Sequence, residues 1–97
     1  MDLERLEELF ELYENNGEFL KFERVENKKS LRPDLHAFIL LDDLVPGKID
    51  MITAAEHDEI WLHINPEDLC CVITEEQVRE LVRCGVRYSD ESLTMFV

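Results

Sequence analysis

The segment Ala55 to Ile64, AEHDEIWLHI, brings His57, Asp58, Glu59 and His63 together with the only tryptophan, Trp61. Imidazoles and carboxylates are the side chains that hold metal ions and move protons, so their spacing has to be weighed before their types. A strand over residues 57–64 would turn Ile60, Leu62 and Ile64 toward a core and His57, Glu59, Trp61 and His63 toward the other face. On such a strand His57 and His63 stand about 20 Å apart, whereas the ligands of one zinc ion lie within about 2.0 to 2.3 Å of it. The two histidines therefore do not share a metal. His57 and Glu59 reach a common ion only with ligands brought from elsewhere, His36 being the remaining histidine. The expectation is no catalytic residue, no metal ligand and no cofactor, with the outward set His57, Glu59, Trp61 and His63 as the partner-binding residues. Trp61 is the pivotal one. A tryptophan opposite an aliphatic stripe is covered either by a helix of its own chain, the simpler arrangement, or by a partner protein.

The elements that must position this face are legible in order. Leu3, Leu6, Leu9, Phe10 and Tyr13 recur at helical spacing among acids, and Gly17 supplies the stop. From Glu18 to Val25 the spacing of Phe19, Phe22 and Val25 leans to a second helix, although Leu20 and Phe22 alone would suit a strand. The segment RPDLHAFILLDDLVPG predicts a helix begun by Pro33 and ended at Pro46–Gly47, apolar enough to occupy the centre of the core. His36 falls on its narrow polar strip near Arg32 and Asp43, as a boundary residue. KIDMITAA and DEIWLHI read as a hairpin. Asn65–Pro66 and Thr74 with Gln77 are helix starts, the second a capping box ahead of a helix that Gly85 ends. The chain closes on two short strands about a turn at Ser89 to Ser92. Together these predict an α+β fold in a single domain, residues 1–97, with three to four helices packed on a small antiparallel sheet of short hairpins.

Composition narrows the function. At 97 residues the chain holds one core, and 45% hydrophobic residues place it in the folding regime. Twenty-three acids against ten Lys and Arg give a net charge of -13, with the acids spread along the whole chain. Such a field repels phosphate backbones, which disfavours direct nucleic-acid binding and makes a partner with a basic surface conceivable. No apolar run reaches the roughly 18 residues of a membrane span, and the acidic start is unlike a secretory signal, so a cytoplasmic protein without membrane contact is expected. Cys70 and Cys71 are neighbours and Cys84 is the odd one, so no disulfide framework is available and the thiols read as small apolar residues. With three glycines, neither a P-loop nor a dinucleotide loop can be written.

RPDLHAFILLDDLVPG, AEHDEIWL, LVRCGVRY and the ending SLTMFV resemble small uncharacterised proteins encoded by bacteriophages and prophages. The resemblance implies a context, a small accessory protein that binds or inhibits a host protein, and no activity or site residue. Three functions from different classes follow as expectations. The first is a non-catalytic protein-binding module, with a homodimer through its sheet or central helices as a further form. The others are a nucleic-acid mimic that blocks a DNA- or RNA-binding protein, and a small metal-dependent enzyme using His57, Glu59 and His36.

Overall fold

In the computed structural model, which describes Met1 to Phe96, each helix begins where a side chain or a proline satisfies its first turn. The Asp2 carboxylate accepts the Arg5 N–H at 2.8 Å and opens α1, Leu3–Asn15. Pro33 opens α2, Pro33–Leu44. Asn65 accepts the Glu67 N–H at 2.8 Å ahead of the single turn α3, Pro66–Cys70. Thr74 and Gln77 exchange side-chain and backbone hydrogen bonds at the start of α4, Glu75–Arg83.

Two hairpins make the sheet. β1, Ile52–Glu56, turns into β2, Glu59–Leu62; β3, Val86–Ser89, turns into β4, Ser92–Phe96. The strand order is β1-β2-β4-β3, antiparallel throughout, so the hairpins join along β2 and β4. The fold is therefore the α+β arrangement the sequence predicts. Cross-strand pairing sorts the two faces. Ile60, Met95 and Val86 share one face with Leu62, Leu93 and Tyr88, while Trp61, Thr94 and Arg87 share the other with Glu59 and Phe96. The first face meets the helices: Phe10 of α1 stacks on Tyr88 with centroids 6.1 Å apart, and both α1 and α4 pack against β3. One contiguous core results, in which Leu6, Leu9, Leu41, Leu69, Leu81, Leu93 and Met95 are all but inaccessible.

Two expectations are corrected. α2 buries Ala37, Leu40 and Leu41 but leaves Leu35 43% exposed, so it flanks the core instead of occupying its centre. A helix apolar on nearly every side can bury only the side that meets its neighbours. Between Glu18 and Val25 only Phe22–Arg24 forms a single 3-10 turn. Here the chain follows an ion cluster. Glu18 accepts from Arg24 at 2.6 Å and from Arg83 Nε at 2.8 Å, with its side chain 11% exposed, and Leu20 in the same loop takes φ +63.

Candidate functional site

The strand expected over residues 57–64 is shorter, Glu59–Leu62, and this divides the predicted partner-binding set. A two-residue turn at His57–Asp58 joins Glu56 to Glu59, with His57 at φ +53. Histidine and aspartate tolerate such a turn better than bulky residues do, and placing it there lets Ala55 oppose Ile60 and Ala54 oppose Trp61. His57 is therefore at the hairpin tip. His63 lies past the end of β2, where its backbone N–H bonds the Met51 carbonyl and its side chain is exposed. Only Glu59 and Trp61 share the outward face, joined by Ala54 and Glu56 of β1 and by Thr94 and Phe96 of β4. Ile60, Leu62 and Ile64 are buried as predicted.

Trp61 is half-buried, with Ala54 opposite it in β1 and Thr94 opposite it in β4. Thr94 is 2% exposed and stands between Trp61 and Arg87 in the register. The helices α1 and α4 lie toward the other face, so neither is the expected cover for Trp61. Beside the indole runs a shallow groove of about 360 Å³ lined by Thr53, Ala54, Glu56, Trp61, Leu62 and Ser92. On the helix side of β1 a second depression of about 360 Å³ is lined by Phe38, Asp50, Met51 and Ile52. All five residues of β1 are exposed, and β2 is its one partner strand among the described residues. Sequence reasoning found the hairpin but passed over Thr53, Ala54 and Ala55 as carriers of a surface. The signal was there in their small side chains, which leave both faces of a strand and its outer edge accessible.

His36 does not join this face. It is 1% exposed on α2, its Nδ1 accepting the Lys29 N–H at 3.0 Å and its Nε2 lying 3.1 Å from Glu80 Oε2. That network requires the Nε2–H tautomer, and the edge of the ring meets Phe22 at 5.7 Å between centroids. The reading of His36 as a boundary residue is thus corrected: its side chain is buried against Glu80 of α4, while Asp43 on the same strip is exposed and pairs with Lys29 at 3.3 Å. His36 clasps the loop before α2 to α4, and both of its nitrogens are occupied. Among the described residues no three His, Cys, Asp or Glu side chains stand together as a metal-ligand set. Cys70, Cys71 and Cys84 are free thiols. Burial, reinforced by the Glu80 charge, pushes the Cys84 thiol up to about 12. Such a thiol is not a nucleophile at neutral pH.

A wider concavity lies elsewhere, a groove of about 720 Å³ lined by Tyr88 together with Glu4, Glu7, Glu67, Asp90 and Glu91. Burial, with the charges of Glu7 and Glu91 adding to it, raises the Tyr88 phenol above its ordinary range. Among the described residues no helix is long and apolar enough to cross a membrane. No family model matches the chain, and no curated protein and no solved structure matches it.

Proposed function

We propose that the protein is a small, acidic, non-catalytic protein-binding module that engages its partner through the β1–β2 hairpin. One observation carries this reading: a strand exposed along its whole length stands beside a half-buried tryptophan that opens onto a groove. Tryptophan in a partly desolvated pocket is the kind of anchor that dominates binding energy at interfaces. The net charge of -13 favours a partner with a basic surface. In a bacteriophage setting, a module of this kind would act on a host protein as an accessory or inhibitor. The test compares the tagged wild-type chain with Ala54→Arg, which fills the groove from the exposed side of the hairpin while leaving the core alone. The wild type should retain a protein at one-to-one stoichiometry from its source lysate and the variant should lose it. Retention of nothing, or of the same proteins by both, contradicts the proposal.

Imitation of a nucleic acid is a second reading, supported by the five carboxylates that line the 720 Å³ groove with Tyr88. A partner held there would show affinity falling steeply with salt, and a salt-independent complex would remove this reading.

A further inference from the structure

We infer that the partner segment is an extended, lysine- or arginine-bearing strand of another protein that adds to the free edge of β1. This inference rests on the protein-binding reading above and names the chemistry of its occupant.

The hydrogen-bond alternation of the sheet shows what the edge offers. Phe96 N–H donates to the Gly85 carbonyl at 3.0 Å, and the β3–β4 turn closes on Ser89 and Ser92. Pairs 85/96, 87/94 and 89/92 are therefore the bonded ones, which turns the backbone of Met95 toward its partner Ile60 in β2. Ile60 then faces away from β1, so its opposite residue Ala55 directs its own N–H and C=O outward from the sheet. The turn at His57–Asp58, closing on a bonded Glu56/Glu59 pair, gives the same result independently. A free donor and acceptor on an exposed strand form a template for another strand. The bulge at Thr53, whose hydroxyl donates to the Trp61 carbonyl at 3.2 Å, limits the ladder to the segment next to the turn.

A short ladder needs side chains to add affinity, and both sides of β1 are shaped for them. Successive side chains of an added strand alternate between faces. One set would lie toward the groove beside Trp61 and the other toward the depression formed by Phe38, Met51 and Ile52. The charge of the occupant follows from the rim. Glu56 and Glu59 oppose each other directly across the hairpin, an arrangement of like charges that is destabilising until a cation intervenes. Asp50 and Asp58 extend the same sign, against Lys48 alone. A second copy of this chain would bring a second charge of -13 to the same edge, so a basic strand fits better.

The probe is a blocked peptide of about nine residues alternating valine and lysine, long enough to pass the whole of β1. Its binding to the full chain is measured by calorimetry, with amide shifts as the local readout. The wild type should bind it, with the Ala55 amide shifting most strongly within β1. Three changes should each weaken binding about tenfold or more: N-methylation of alternate peptide residues, replacement of its lysines by glutamate, and Ala55→Pro in the protein. Proline is tolerated on an edge strand where its missing N–H faced solvent, and the N-methylated peptide tests the same bond if that variant does not fold. No binding by the wild type, or equal binding of the N-methylated peptide, overturns strand addition, and equal binding of the glutamate peptide overturns the basic strand as its occupant. So does binding that survives Ala55→Pro in a folded variant yet is lost in Trp61→Ala, although that outcome leaves the protein-binding reading standing. A wild type that sediments as a dimer and an Ala55→Pro variant that sediments as a monomer would give the edge to a second copy and overturn the basic strand. The lysate capture with Ala54→Arg uses no peptide, so the broader reading stands or falls separately.

Discussion

Single side chains set the stability of the scaffold that presents the hairpin. Glu18 is the clearest case. Burial pushes its carboxyl up, but the hydrogen bonds and charges of Arg83 and Arg24 outweigh that and hold it below the usual carboxylate range. A carboxyl lowered in the folded state contributes stability that is present above its unfolded value of about 4.3 and lost as pH falls through the lowered folded value. Glu18→Gln should therefore cost about 1.5 to 3 kcal/mol at neutral pH in urea denaturation. The gap to wild type should narrow as pH falls from about 4.3 through the lowered value. A gap constant down to the acid limit would show that the carboxylate charge is not what holds the loop. Strain at the β3–β4 turn predicts the opposite sign. Asp90 and Glu91 take φ +51 and +62, a turn that favours glycine, and glutamate lacks the short polar side chain by which aspartate can bond its own backbone in this region. Left-handed strain of about 1 to 2 kcal/mol outweighs the glycine entropy cost of about 0.5 to 1 kcal/mol, so Glu91→Gly should stabilise by about 0.5 to 1 kcal/mol, read as a raised urea midpoint.

At the scale of elements, what the sequence made legible was whatever local chemistry decides. Asn65–Pro66 and the Thr74–Gln77 box begin helices in the structure as predicted, because a cap is a contact over three residues. The alternation of Ile60, Leu62 and Ile64 was legible for the same reason. Contacts distant in sequence were not. Glu18 and Arg83 are 65 positions apart, and His36 and Glu80 are 44 apart. These pairs turn an apparent helix at Glu18–Val25 into a loop and an apparent boundary histidine into a buried clasp. The strand expected to carry the candidate site is corrected in one specific way. Treating His57 to Ile64 as continuous strand put both histidines on the Trp61 face, whereas a turn of two residues was enough to move His57 to the tip. Gly85 marks how closely the hairpin and the loop depend on each other. At φ +97, a Cβ there would stand 2.9 Å from Leu20 Cδ2, so Gly85→Ala should destabilise by about 1 to 3 kcal/mol in thermal or urea unfolding. Wild-type stability in that variant would separate the loop from the β4 end of the sheet.

For the whole molecule, the asymmetry is between strands β2, β4 and β3, whose core-side residues Ile60, Leu62, Leu93, Met95 and Val86 are buried, and an edge strand β1 whose residues are all exposed. Nothing about folding alone requires β1 to present Thr53, Ala54 and Ala55 to solvent on both faces, and an open edge is a feature that proteins commonly blunt. Under the proposed strand addition, the distributed acidic charge would disfavour a second copy at this edge and favour a basic segment. The most direct measurement is a hydrogen-exchange footprint of the full chain with and without the protein it retains from its source lysate. Protection should concentrate on residues 52–62, with the α4 amides and the acidic groove around Tyr88 unchanged. A footprint centred on Tyr88, Asp90 and Glu91, or one that leaves residues 52–62 unprotected, would contradict the hairpin as the binding surface.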